Sequence, residues 1–511
     1  MKETDSTIPA EVWHPKSNPW LITIAVMLAA TMEVLDTSVA NVSLPHIAGN
    51  LSASNHEATW VLTSYLVANA IILPASAWFG GFFGRKRVLL ACIALFTISS
   101  ILCGIAGSLG QLILFRIFQG LGGGALQPIS QAILVESFPK EKRMTAMAVF
   151  AMGVIVAPII GPVLGGWLTD NFSWRWIFLI NIPVGVVAII MAQMFVEDPP
   201  YIEKIKSGID YYGFSLMIIG LGMLQIVLDK GQEVDWFQAA WLCWASALVV
   251  VSFAVFVFWE FRVKHPVIDL RVLKDRNLVG GMVIAFLMGA ILYGTMALAP
   301  LFYQTMMGYT AYLSGVIIVP LGVGACIGAI GVSLLGKYID NKLLLVMGLI
   351  LIGTASLFLG NITLQVSSSS MIIPFFFLGF GSTTVFVPLA TMAFGTLPAK
   401  DVGTGSGLFN LTRNIGGSVG IAISTTMLAR MGQTHQSILV EQLTPFNSLY
   451  QQALMAKPDV ANALMYQELL RQSNFLAYVD CFRWYGLLAF FCVSMIFLFK
   501  KVKNAESVML H

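Results

Sequence analysis

The chain has 511 residues, 57% of them hydrophobic and only 11% charged, with a mean hydropathy of +0.81 and a formal net charge of +3. Soluble domains carry about a quarter charged residues, so a soluble enzyme is excluded, and so small a net charge offers no footing for nucleic acid. The six cysteines (92, 103, 243, 326, 481 and 492) are scattered with no CxxC, which gives neither a disulfide framework nor a metal site. Residues 1–19 are polar and contain proline, and the first apolar run is too long for a signal h-region, so no cleavable signal is expected.

Taken in order, the apolar runs predict fourteen membrane helices: 20–44, 59–80, 88–107, 109–135, 147–168, 176–194, 211–228, 238–259, 278–302, 312–336, 343–363, 371–394, 403–428 and 482–499. Each is near the length that a helix needs to cross a bilayer. With the N-terminus in the cytoplasm, alternation puts 21 Lys and Arg on the cytoplasmic side and 6 outside, leaving Arg116 and Arg413 within spans. The first six spans and the last six echo one another weakly at a separation of about 250 residues, the parallel-repeat plan of many transporters. The expected fold is therefore an all-α polytopic membrane protein, with bundles at 20–194 and 278–499 flanking an inserted helix pair at 195–277. Segments 1–19 and 500–511 are cytoplasmic, and a long outer loop at 430–480 should form short amphipathic helices.

Chemistry is concentrated in the few charged positions inside spans, which cost about 2.5–3.5 kcal/mol each on insertion scales. Span 1 carries Glu33 and Asp36, three apart and so on neighbouring parts of one helix face. Counting at 1.5 Å per residue puts Asp36 about 12 Å and Arg116 of span 4 about 10 Å from the outer surface, depths that allow an ion pair. Arg413 of span 13 lies about 15 Å deep, where it needs an acid or an anionic substrate, and Glu33 is the unpaired acid nearest in depth. Asn41, Gln119, Gln127, Asn410 and Asn414 are the polar candidates for a substrate cavity. In span 5, Gly153, Ala157, Gly161 and Gly165 recur every four residues, next to Gly166. They form a side-chain-poor stripe onto which a second helix can pack. Pro158 and Pro162 leave the carbonyls of Val154 and Pro158 without their helical partners, so this helix should bend.

Several stretches carry a resemblance. Met32–Val42 resembles the LDxTxxNVALP signature, Arg116–Gly120 the RxxQG motif, Gly153–Gly166 the antiporter motif GxxxxPxxGPxxGG, and Trp174–Gly185 the WRWIFxINxPxG stretch of fourteen-helix antiporters. The chain thus resembles the EmrB/QacA family of drug:proton antiporters in the major facilitator superfamily, on its EmrB-like side. That resemblance implies two six-helix bundles plus two inserted helices. It implies proton-coupled efflux of hydrophobic or amphipathic compounds by alternating access, with no cofactor beyond the proton gradient. Proton binding at Asp36, or at Glu33 coupled to it, would alternate with an Arg116 pair. Gly84, Arg85 and Lys86, with Gly153, Pro158, Gly161, Pro162, Gly165 and Gly166, would form the conformational switch, the span-5 stripe packing against span 10 at Gly315, Gly322, Gly324 and Gly328. It further implies a bacterial inner membrane location, and a periplasmic membrane-fusion adaptor and outer-membrane channel as partners, docked at the 430–480 loop. The alternative is a carrier of one metabolite, such as a fatty or aromatic acid or a siderophore. Three departures stand out: Gly81 replaces the family Asp of the loop motif, Glu33 stands where EmrB-like chains often carry Gln, and the second-half copy of that loop is degenerate around Lys337–Lys342.

Overall fold

The computed structural model describes residues 15–53, 55–199, 210–263, 266–336, 338–398, 401–441, 443–444, 451 and 461–499. Most of the expected N-terminal segment, the centre of the 430–480 loop with Tyr450, the tail 500–511 and Lys337 lie outside the described residues.

Helices account for the fold. The first, α1 (Pro19–Asn50), starts where the Asn18 side chain accepts from the Trp20 amide and a proline takes the first position. It is followed by α2 (Trp60–Phe83), α3 (Arg85–Gly104), α4 (Leu109–Gly123), α5 (Leu126–Ser137), α6 (Lys140–Asn171) and α7 (Asn181–Phe195). The inserted pair is α8 (Tyr211–Lys230) and α9 (Ala240–Arg262). The remainder comprises α10 (Arg276–Thr305), α11 (Ala311–Leu335), α12 (Asn341–Leu359), α13 (Ile372–Gly395), α14 (Val402–Val440) and α15 (Ala461–Ser494). Helices α4 and α5 are two parts of one span. Among the described residues twelve helices are long and apolar enough to cross a membrane, and α6 makes a thirteenth, bent by 40° at its proline region. Helix α14 lies among them but is less apolar, because the polar residues on it face a cavity.

Helix packing divides along the chain. In the first half α1 packs on α6 and α7, and α4 packs on α2 and α3; in the second, α13 packs on α11 and α12, and α14 on α10 and α15. The halves meet where α6 touches α11 and α13, and where α14 touches α2 and α5. The inserted α8 lies against both α2 and α14. At its end Lys230 Nζ donates to Thr59 at 2.5 Å, while Trp236 Nε1 donates to Thr426 of α14 at 3.0 Å. Asp235 and Trp236 both have φ near +55°. These left-handed conformations, unusual for such side chains, aim the indole at α14.

Two expectations are corrected. The glycine stripe of α6 does not meet α11. Gly153 faces Met27 and Thr31, Gly161 faces Ser38, and Gly165 faces Val39, all on α1. The bend explains the choice. Ser38 Oγ donates at 2.8 Å to the carbonyl of Pro158, one of those that the prolines leave without a helical partner, and only a helix seated on the glycine face can reach it. Helix α11 meets α6 through Gly315 against Val163, and its Gly324 and Gly328 lie against Phe376 and Phe380 of α13.

The second correction concerns the two ends of the 430–480 loop, 430–440 and 461–480, which are continuous with the membrane helices. The 39 residues of α14 extend about 58 Å, well beyond a hydrocarbon core of about 30 Å. Helix α15 starts at Ala461, some twenty residues before the expected span, and the His435–Asp480 pair at 2.7 Å ties the two together.

Candidate functional site

Three side chains enclose the Asp36 carboxylate. Arg116 Nη1 reaches Oδ2 at 2.5 Å, while Gln119 Nε2 and Asn181 Nδ2 donate to Oδ1 at 2.8 and 2.7 Å. Arg116 is fully buried; its Nε donates to the Val61 carbonyl at 3.0 Å and its guanidinium lies 4.1 Å from the Tyr65 ring centroid. Ser100 accepts from Gln119 and Asn181 and closes the cluster. Buried charges persist when paired and hydrogen-bonded; this pair is paired and bonded through Nε and Nη1, while the buried Arg116 Nη2 has no hydrogen-bond partner among the described residues. Sequence depth anticipates Asp36 beside Arg116. Gln119, expected in the substrate cavity, instead has its amide committed to Asp36, Ser100 and Arg116.

Glu33, one helical turn earlier, has different surroundings. It lines a cavity of about 510 Å³ between the two halves, of the size that holds small molecules. Asn69 Nδ2 and Gln127 Nε2 donate to its two oxygens at 2.9 and 2.6 Å, and the Tyr65 hydroxyl lies 3.4 Å from Oε1. Glycines make this possible: Gly120 and Gly124, where α4 passes into α5, abut the backbone of Tyr65 and Asn69 on α2, with no room for a Cβ. Tyr65 therefore touches both acids' networks, its hydroxyl at Glu33 and its ring under Arg116. Tyr65 and Asn69 were not singled out from the sequence; their signal was a polar pair at i, i+4 in an apolar span. Asn181 lay within a recognised motif without an assigned role.

Across the cavity, Arg413 of α14 donates through Nη2 to Gln127 Oε1, so Gln127 bridges Glu33 of one half and Arg413 of the other. Asn41, Asn410 and Asn414 also line the cavity, as do Pro158 and Pro162. The rest of its wall is mostly apolar, with Met296, Leu301, Ile318 and Ile421 among the lining residues.

The cavity is closed at the end bearing the Gly84–Arg87 loop. There Asn410 Nδ2 donates to Gln131 at 2.7 Å, Ser406 to the Pro128 carbonyl at 3.1 Å, and Ser333 to Thr145 at 3.0 Å, each bond crossing between halves. The loop motif contributes directly. Gly84 has φ +93°, which only glycine adopts freely, and the Lys86 amide donates to Asp198 at 2.8 Å. Arg85 pairs with buried Glu136 and its guanidinium lies against Gly403 of α14. Gly166 is buried on α6.

A profile of the Major Facilitator Superfamily matches residues 26–421. The chain belongs to that superfamily. It is 35% identical to the fatty acid resistance protein FarB of Neisseria gonorrhoeae over 84% of each chain. It is 36% identical to the multidrug export protein EmrB of Escherichia coli over 84% of this chain and 83% of that protein. The human organic anion transporter MFSD10 shares the fold with a TM-score of 0.60 at 12% identity, covering 94% of this chain and all of that one. The protein is thus an EmrB-type transporter of the superfamily, a membrane carrier and not an enzyme.

Proposed function

We propose that the protein exports hydrophobic and amphipathic compounds from the cytoplasm of a bacterium across its inner membrane, driven by inward proton flow. The observation that carries this reading is the cavity between the halves, apolar over most of its wall yet holding a buried acid, Glu33. The relatives named for multidrug export and fatty acid resistance support it. In this reading both termini and the closed end face the cytoplasm, which the distribution of Lys and Arg supports, and the arrangement is then outward-facing. Asp36 carries the coupling proton, and Arg116 holds its deprotonated form. Glu33, which meets the cavity, hands the proton on. Protonated Asp36 no longer holds Arg116, which frees α1 to move against α4 and lets the cytoplasmic contacts part. The helical extensions of α14 and α15 are where a membrane-fusion adaptor leading to an outer-membrane channel would dock. The test is transport in proteoliposomes under an imposed pH gradient. Gradient-dependent movement of several unrelated dyes and uncouplers supports the reading. Movement of one metabolite alone, indifferent to the gradient, would favour the single-substrate carrier.

A further inference from the structure

We infer that Arg413 is a carboxylate-binding subsite, with Gln127 as its placeholder and Glu33 as the internal anion that competes with the ligand. This rests on the cavity being the substrate site. The geometry of the guanidinium is the starting point. Its Nε–H and one Nη2–H point the same way and form a fork that fits both oxygens of a carboxylate. In the structure that fork holds a single acceptor: Nη2 has Gln127 Oε1, while Nε is buried with no hydrogen-bond partner. A buried donor left unpaired is costly, and one amide oxygen cannot satisfy both.

Charge points the same way. Among the described residues no carboxylate forms an ion pair with Arg413, although it is 9% exposed and sits over the Phe386 ring at 5.4 Å. The Glu33 carboxylate reaches it only through Gln127, which donates to Glu33 with one end of its amide and accepts from Arg413 with the other. A ligand carboxylate that displaces the Gln127 oxygen gains both Nε and Nη2, and its apolar body meets Met296, Leu301, Ile318 and Ile421. The charged groups around Glu33 are Arg413, Asp36 and, through Tyr65, Arg116. Asp36 is already neutralised by Arg116, so Glu33 is the negative charge that an incoming anion must face. Its presence lowers affinity for anions and raises it for cations.

The test uses full-length purified protein in nanodiscs and three probes of one shape: 2-naphthoate, 2-naphthamide and a naphthyl trimethylammonium ion, with binding read by fluorescence. Wild type should favour the carboxylate over the amide by about tenfold, the scale of a charge-assisted bidentate pair. Arg413→Gln should abolish that preference while 2-naphthamide still binds. Arg413→Lys, which keeps the charge but loses the fork, should retain only part of it. Glu33→Gln should raise carboxylate affinity several-fold and lower that of the cation. An undiminished carboxylate preference in Arg413→Gln overturns the inference. So does a Glu33→Gln protein whose carboxylate affinity is unchanged, even where Arg413→Gln binds none of the probes. Binding needs no gradient, so failure of proton-driven export would leave this result standing, and failure here would leave proton coupling intact.

Discussion

Replacing Arg116 by Met removes the partner of a fully buried carboxylate. Arg116 and Asp36 are 0% and 2% exposed, and their contact is 2.5 Å. Gln119 and Asn181 would remain as donors to Asp36, but neither supplies charge. Breaking a buried pair from one side costs about 3–5 kcal/mol, because the surviving charge is stranded, whereas removing both charges is often nearly neutral. Arg116→Met should therefore destabilise the protein by about 3 kcal/mol or more. Adding Asp36→Asn to it should restore most of that loss. The assay is reversible unfolding in mixed micelles of rising SDS fraction, followed by intrinsic tryptophan fluorescence. A single variant within about 1 kcal/mol of wild type, or a double variant no better than the single, would refute the reasoning.

Other consequences follow from the packing. Gly161→Ala should cost about 1–3 kcal/mol by overpacking against Ser38, and the same change made in a Ser38→Gly background should cost less in the same unfolding assay. Ser38→Ala alone leaves the Pro158 carbonyl unpaired and should cost about 1–3 kcal/mol, with a weaker α1–α6 contact seen as faster amide exchange in α6. Gly84→Ala forces a Cβ into a positive-φ position and toward Asp198, and should cost about 1–3 kcal/mol, read by unfolding and by accessibility of a cysteine placed at Gly403. A photocrosslinker at Tyr466, exposed on α15, should capture a co-expressed membrane-fusion adaptor; no adduct, with unchanged efflux when the extensions are shortened, would remove that docking site.

The membrane helices were legible because a bilayer demands about 20 apolar residues per crossing, and that demand leaves a mark whatever the helix packs on. Depth allowed the Asp36–Arg116 pair, since residues of opposite charge at matching depth in one bundle have few other ways to be neutralised, and the family resemblance implied it. Rotation about a helix axis was not legible. Gln119 and Gln127 lie on one span, yet the glycine-rich passage from α4 to α5 sends the first into the Asp36 cluster and the second into the cavity. The stripe on α6 announced that a backbone approaches closely but not whose. Ser38, which pairs with the Pro158 carbonyl, was a cue inside the recognised span-1 motif. Outside the membrane, where hydropathy no longer constrains the chain, the helical extensions of α14 and α15 read as separate short amphipathic helices in a loop.

Proton coupling through span 1 is tested most directly by substrate-induced proton release from the purified protein in weakly buffered detergent solution. Wild type should release protons when a transported dye is added. Asp36→Asn should bind the dye and release none, and Glu33→Gln, which lacks the relay but keeps the carrier, should still release them, only more slowly. Release that persists in Asp36→Asn and disappears in Glu33→Gln would contradict the account and move the proton site to the cavity acid.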